Sequence, residues 1–584
     1  MTYYIPKHSS LTSYNNDATV MTILTTFRRQ LASPKLSWQI CLLAIVGGFA
    51  ASMLIVLFTF TIRAIQQLYL INDDDYSTLD AITRLDLPII GALIILFFSR
   101  ITGYEYHRTG IPFVLHRLKV AYGAIPFRNT FHQFIGGAVS LSTGFSVGKE
   151  GPVVHLGAAA SGFVGSTLKL PNNSIRTLCA CGVAAGIAAS FNTPIAAVLF
   201  VMEVVLREYD LHSFIPIMIA AIIGSMVTHA VFGGIHDYEF INQISLNYQD
   251  FLILILLGIL LGALAAFFNH FIVYTIKRTE KLHIFTRLMV AALITGCLGY
   301  LVPHAMGTGS TAVVFSVEHH WQLQFLFTLL AAKLLMTILV IGLGMPGGIV
   351  GPIIGIGAVS GILGALVLGT FLPGDYAASD FALMGMAGFM AATLNAPLAA
   401  LLTVVELSNQ LEIMLPAMIV IGSASLISSQ LFNNRSIFTM QLDVQHLMYR
   451  KPPIESALQK VGVLSLMNSN LLLVKQHELS TEMLLSNDDE QVIILVNQQD
   501  DSDKINYQWL EVESDDNTTD NKTPRRYNQH KLMPLNSQAT LAEAYALLLH
   551  DRKGGVYIFD QKLDNIVGLI TFEQIRHYLL VGKI

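Results

Sequence analysis

Charge is scarce in this chain. Only 13% of its 584 residues are Asp, Glu, Lys or Arg, about half the share of a typical soluble protein. The formal net charge is −5, which argues for no particular partner, and no nucleic acid is expected. Cysteine is equally sparse. Cys41, Cys179, Cys181 and Cys297 all lie in apolar stretches, where they read as small core residues rather than a disulfide framework. Cys179-Ala-Cys181 is not a zinc spacing. No His/Glu metal spacing and no Gly-x-Ser-x-Gly elbow occur, so an intramembrane hydrolase lacks its groups and the chain reads as no enzyme. The first residues, MTYYIPKHSSLTSYNNDATV, lack the basic-then-apolar order of a secretory signal.

What is abundant is apolar length. Runs such as ICLLAIVGGFAASMLIVLFTF and FLILILLGILLGALAAFF recur from Trp38 to about Leu431, and each reaches or approaches the ~20 residues that a membrane helix needs. They are continuous rather than alternating, which separates helical spans from a barrel. The expected organisation is a cytoplasmic segment over 1–35, a transmembrane domain over 36–440 with halves near 36–235 and 250–440, and a tail over 441–584. Arg28, Arg29 and Lys35 precede the first span and place the N-terminus on the cytoplasmic side. Half of all acidic residues follow Met440. Within the tail, an acidic linker is expected near 497–528. Around it QVIILV, GGVYIFD and NIVGLIT read as strands, and ATLAEAYALLLHD and FEQIRHYLL as helices.

The membrane part repeats itself. GKEGPVVHLGAA from Gly148 matches GIVGPIIGIGAV from Gly348 at Gly148/Gly348, Gly151/Gly351, Pro152/Pro352 and Gly157/Gly357. GVAAGIAASFNTPIAAVLFVME from Gly182 matches GMAGFMAATLNAPLAALLTVVE from Gly385 at Asn192/Asn395, Pro194/Pro397 and Glu203/Glu406. The offsets, 200 and 203, are nearly equal. Duplicated membrane halves are a transporter habit, with sites where interrupted helices meet. Gly-Pro in each first block suits a helix start. Lys149–Gly151 and Ile349–Gly351 are therefore expected to open half-helices whose free N–H groups bind an anion without a basic side chain. Partial charges let the ion leave, whereas a buried arginine would retain it. GFSVGKEG is no phosphate loop, because Glu150 stands at the Ser/Thr position.

These stretches resemble the CLC family of chloride channels and proton–chloride antiporters. GKEGP at Gly148, GGIVGP at Gly347 and TGIP at Thr109 carry the resemblance, in order, between about Trp38 and Met440. It implies an all-α polytopic membrane protein of two inverted-repeat halves with broken helices, assembled as a homodimer with one anion pathway per subunit. It assigns Glu150 as the gating glutamate. It assigns anion contacts to Thr109, Lys149, Gly151, Ile349 and Val350, and places the family's pore tyrosine at Phe438, with its hydroxyl missing. Thr109 keeps a chloride-type hydroxyl, which speaks against fluoride. The inner glutamate that relays protons in antiporters falls on Val204, next to Glu203. This favours a channel or weakly coupled pathway over the alternative, a proton–chloride antiporter. Glu203 and Glu406 also read as helix-end structural carboxylates. The tail resembles a cystathionine-β-synthase-type (CBS) pair, a small α/β module. Its nucleotide motif ends Thr571-Phe572-Glu573-Gln574, with Gln574 for the ribose-binding Asp, so adenine nucleotide is a doubtful ligand and a dimerising tail or a ligand sensor on a membrane scaffold are the alternatives. No cofactor is implied; chloride and protons are the transported partners, the lipid bilayer the environment. The setting is a bacterial inner membrane with both termini cytoplasmic.

Glu150 is the unusual residue here. A buried carboxylate must be neutral, paired, or bonded to N–H groups. Its expected place is the anion site itself, while Lys149 extends to the pathway mouth. Two unit charges 4 Å apart repel by about 4 kcal/mol at an effective dielectric near 20. Chloride and ionised Glu150 therefore exclude one another.

Overall fold

The computed structural model describes residues 26–103, 110–233, 251–318, 322–370, 377–475, 491–498, 505–512 and 527–581. Thr109 lies outside them. Among the described residues nine helices are long and apolar enough to cross a membrane, and the chain is an integral membrane protein of mostly helical build. Contacts divide it into two units.

The larger unit holds residues 41–166 and 176–450. Its first half runs α1 (Trp38–Gln66), α2 (Ala81–Thr102), α3 (Gly110–Val120), α4 (Phe127–Ser142), α5 (Glu150–Thr167), α6 (Asn172–Phe191), α7 (Pro194–Phe200) and α8 (Leu211–Phe232). The second runs α9 (Phe251–Thr279), α10 (Ile284–Leu301), α11 (Ser310–Glu318), α12 (Leu323–Gly342), α13 (Val350–Gly369), α14 (Ala378–Leu394), α15 (Pro397–Ser408), α16 (Met414–Leu426) and α17 (Ile437–Val444). The expected boundary at 440 thus falls inside α17. Cys179 and Cys181 are buried, but Cys297 is exposed rather than in the core.

The same chemistry breaks the helices at repeat-related points. Asn192 and Asn395 both adopt φ of 54°, a left-handed conformation that Asn tolerates and that ends a helix. Two residues on, Pro194 and Pro397 open α7 and α15 from their first positions, where the missing N–H costs nothing. The halves then meet through reciprocal pairs. Glu203, in the π-turn after α7, accepts from the Leu398 N–H (3.4 Å) and Ala399 N–H (2.8 Å) at the start of α15. Glu406 on α15 accepts from the Ile195 N–H (2.9 Å) and Ala196 N–H (2.7 Å) at the start of α7. A pair in which i caps j and j caps i is the mark of a two-fold relation, here within one chain.

The smaller unit gathers residues 1–40, 167–175 and 451–584. β1 (Leu471–Lys475) and β2 (Val492–Gln498) pair in parallel, and β3 (Ile505–Val512) and β4 (Tyr527–Lys531) add antiparallel. A second sheet has β5 (Met533–Asn536) parallel to β6 (Gly555–Phe559) and β7 (Ile566–Thr571) antiparallel to it. Helices α18 (Pro453–Leu458), α19 (Leu541–Leu548) and α20 (Phe572–Val581) complete it. Both sheets thus repeat a parallel-then-antiparallel order. The linker expected near 497–528 contains a strand. INYQWLEV is rich in β-branched and aromatic residues, and Tyr507 and Leu510 are buried; the flanking acids hid that pattern. Residues 499–504 and 513–526 lie outside the described ones. The N-terminal segment and the 167–175 connector belong to this unit by hydrogen bonds. Gly462 N–H donates to Ala32 O (2.8 Å) and Asn172 N–H to Gln538 O (2.8 Å).

Candidate functional site

Two glycines mark the centre of the larger unit. Gly148 N–H donates to Gly348 O (2.8 Å), and Gly348 N–H donates to Gly148 O (2.6 Å). These two residues are repeat mates, so the two-fold axis passes between them. Each loop is pinned from the other half. Ser140 on α4 donates to Pro346 O, and Thr337 on α12 shares a 2.8 Å hydroxyl pair with Ser146. Immediately beyond the paired glycines α5 begins at Glu150 and α13 at Val350. The first turns of two half-helices, with their unpaired N–H groups and partial positive charge, therefore abut.

Only residues without a Cβ permit this approach. A Cβ on Gly351 would lie 3.2 Å from the Gly148 Cα and 2.9 Å from Thr308 O, and one on Gly151 2.9 Å from the Gly348 Cα.

Glu150 fills the gap. It is 4% exposed. Backbone N–H groups beside its carboxylate include its own and those of Gly351 and Val350, at the start of the opposite half-helix. Its Oε2 is buried without a hydrogen bond, an arrangement that costs about 1–3 kcal/mol. The carboxylate thus lies in a place that N–H groups make favourable for negative charge. Lys149 does not extend to a mouth. Its Nζ donates to Ser190 O (2.9 Å) and lies 4.5 Å from the centre of the Phe191 ring. The carbonyl end of α6 carries partial negative charge and an aromatic face, and together they hold the ammonium; the part of Lys149 left for an anion is its backbone.

Two cavities flank this centre. One is walled by Gly110 to Pro112, Gly151, Gly347 to Ile349 and Phe438, with Arg287, Gln441 and Gln445 among its polar lining. It unites the ends of three motif-bearing segments, two of them about forty residues apart and the third about two hundred further on. The other is apolar and walled by Glu150, Val350, Phe191, Phe200, Thr193 and Thr403. Gly151, Ile349 and Phe438 therefore face one cavity and Glu150 and Val350 the other. Val204 is buried in the π-turn after α7, and its neighbour Glu203 spends both oxygens on the α15 N-terminus.

In the smaller unit the nucleotide-motif residues bond to one another. Thr571 N–H donates to Gln574 Oε1 (2.8 Å) and Gln574 N–H to Thr571 Oγ1 (3.2 Å), a reciprocal box that caps α20. Among the described residues no group of three His, Cys, Asp or Glu side chains is placed to hold a metal ion.

Sequence reasoning missed Arg287, Gln441 and Gln445. Arg287 had a readable signal: Thr83-Arg84-Leu85 and Thr286-Arg287-Leu288 repeat at the 203-residue offset of the second matched block.

Comparison with known proteins agrees with this architecture. The H(+)/Cl(−) exchange transporter ClcA of Citrobacter koseri is 28% identical over 415 residues, covering 69% of this chain and 88% of the relative. The transporter of the same name from Vibrio campbellii is 30% identical over 320 residues, 53% of this chain and 68% of the relative. A slow cyanobacterial Cl−/H+ antiporter superposes with a TM-score of 0.63 at 22% identity, covering 70% of this chain and 97% of that one. A eukaryotic CLC transporter superposes with a TM-score of 0.58 at 18% identity, over 92% and 97% of the two chains. At those identities the superpositions speak to the fold alone. The pattern that describes the voltage gated chloride channel family matches residues 88–429, more than half of the chain, and the protein belongs to that family of CLC anion transporters.

Proposed function

We propose that the chain conducts chloride between the N-termini of α5 and α13, and that Glu150 gates the passage by competing for the same N–H groups. The observation that carries this reading is the Glu150 carboxylate itself, buried between the two half-helix starts with Oε2 unbonded. When ionised, the side chain plugs the site. When protonated, it loses its attraction to the N–H groups, and chloride takes its place. Backbone amides from Lys149 to Gly151 and from Ile349 to Gly351 hold the ion. The Thr109 hydroxyl is the remaining donor that the family resemblance assigns, and Phe438 has no hydroxyl to offer. The sign follows directly. Lower pH neutralises Glu150, removes the competitor and raises flux.

Purified protein in liposomes tests this. Wild-type chloride efflux is expected to rise as pH falls, and Glu150→Gln, an isosteric neutral side chain, is expected to be open and flat across the same range. A pH profile of Glu150→Gln that follows the wild type would refute the gate.

The passage leans toward a channel or weakly coupled pathway. Val204 leaves the inner relay position without a titratable group, and Glu203 is occupied as a helix cap. The second reading, proton–chloride antiport, draws on the relatives, which are named exchange transporters. Proton movement driven by a chloride gradient distinguishes the two. Little or no uphill proton movement is expected, and strong pumping would establish the antiporter.

Function is assigned to a homodimer in a bacterial inner membrane, with both termini cytoplasmic and the tail a CBS-type pair. A tail that senses adenine nucleotide is the less favoured reading, because Thr571 and Gln574 satisfy each other. Titration of the full chain with ATP is expected to leave its melting temperature unchanged.

A further inference from the structure

The loop between α10 and α11 carries the sequence Gly307-Thr308-Gly309-Ser310, and two buried charges hold it at successive residues. Lys333 on α12 is fully buried. Its Nζ donates to Ala305 O (2.9 Å), Met306 O (3.3 Å) and Gly307 O (2.8 Å), which spends all three of its hydrogens. Asp74, in the segment between α1 and α2, is 9% exposed. Its carboxylate accepts from the Thr308 N–H (2.9 Å), the Thr308 hydroxyl (2.5 Å) and the Ser310 hydroxyl (3.1 Å), and its carbonyl accepts from the Thr311 hydroxyl (2.9 Å). Three successive carbonyls thus converge on an ammonium, and the residues that follow give their donors to a carboxylate. Ions taken out of water persist only when bonded and balanced in this way, and these two charges act on one another.

This strap lies against the half-helix junction. A Cβ on Gly351, in the first turn of α13, would meet Thr308 O at 2.9 Å, the Gly148 Cα at 3.2 Å and Glu150 Oε1 at 3.3 Å. One on Gly355, a turn later, would lie 3.0 Å from Gly309 O. The strap backbone therefore touches the first two turns of α13, beside the Glu150 carboxylate. It is tied to the other half as well, because Gly307 N–H donates to Gly144 O (3.1 Å). One turn of α12 serves both loops, with Lys333 on the strap and Thr337 on Ser146. The repeat relates the strap to the TGIP stretch. Thr308-Gly309 follows Thr109-Gly110 by 199 residues, and Gly110 and Gly309 both adopt positive φ, 72° and 114°, where α3 and α11 begin.

We infer that Asp74 and Lys333 are positioning residues for the anion passage: by clamping the strap 305–311 they fix the first two turns of α13 against the start of α5. This rests on the conduction reading above but not on the Glu150 gate. Both side chains act through the strap backbone. An N–H group binds through its direction as well as its charge. A slackened strap therefore spoils the aim of the α13 N–H groups and weakens chloride binding before it unfolds the protein.

Liposome efflux at graded chloride, with the melting temperature of the same preparations, tests this for the full chain and for Thr308→Val, Asp74→Asn and the double variant Asp74→Asn/Lys333→Gln. Thr308→Val deletes one bond to the carboxylate and disturbs no charge. The double variant removes both charges together, so neither is left buried and unbalanced. Half-saturating chloride is expected to rise about twofold in Thr308→Val and about fivefold in the other two, with maximal flux per folded protein retained, the mark of lost binding rather than lost protein. A clamp that serves folding alone would lower the melting temperature and maximal flux, leave half-saturation at the wild-type value, and overturn the positioning role. If the charge variants fail to fold, Thr308→Val alone decides. Wild-type protein without chloride efflux would overturn the conduction reading and the positioning role with it, whereas a saturable wild type with unshifted variants overturns the positioning role alone.

Discussion

A methyl group at Gly348 would sit 2.6 Å from the Gly151 amide nitrogen and 3.0 Å from the Gly148 carbonyl oxygen, nearer than carbon packs against either. The two loops cannot yield easily, because each is held by the other through paired backbone bonds and a hydroxyl pin. Gly348→Ala is therefore expected to cost about 1–3 kcal/mol of stability and to reduce chloride flux far more than it reduces folded protein, since it parts the two half-helix starts proposed to hold the ion. Melting and efflux measured on one preparation check this; normal flux would show that the junction tolerates being spread. The residue-level site was only partly legible beforehand. Glu150 stood out because a carboxylate in so apolar a chain demands a reason. Lys149 misled, because its direction depends on the carbonyl end of α6, some forty residues on, which no local pattern encodes. Arg287 was passed over because a single arginine near the start of an apolar run reads as a boundary charge until the cavity beside it is known.

Among the elements, α7 and α15 carry the clearest internal control in the molecule. Glu203 and Glu406 make the same pair of bonds to each other's helix starts, from equivalent positions. If capping is their whole role, Glu203→Gln and Glu406→Gln should each lower stability by about 0.5–2 kcal/mol and leave proton movement alike. If Glu203 also relays protons beside Val204, only its variant should change proton movement. Equal losses in melting with no difference in proton movement are expected; a selective loss in Glu203→Gln would assign the relay to it and favour antiport. The repeat made these elements readable from sequence, since Asn-x-Pro and the terminal Glu recur at one offset and each has a mechanical reason: a left-handed stop, a proline start, a carboxylate cap. The tail was less readable. INYQWLEV was hidden in an acidic surround, because composition averaged over thirty residues outweighs eight residues of strand pattern.

On the scale of the whole molecule, the groups proposed to form the passage all come from one chain. The paired glycines, both half-helix starts, Glu150 and Phe438 need no second copy, and the two-fold axis that relates the glycines is internal. A homodimer of such chains would hold two complete pathways, each with its own competing carboxylate. Interactions between sites in different subunits would then have to cross two folded halves, whereas competition at one site acts over a few ångströms and is worth about 4 kcal/mol. A covalently linked pair of one wild-type and one Glu150→Gln chain is therefore expected to give efflux that is the sum of two independent parts. One part is pH-insensitive and equal to half that of the doubly mutated pair. The other falls with rising pH as the wild type does. Efflux recorded across pH for the three linked pairs checks this. A mixed pair that behaved wholly like either parent would mean a shared pathway or a shared gate, and the single-chain passage built from Gly148, Gly348 and Glu150 would be wrong.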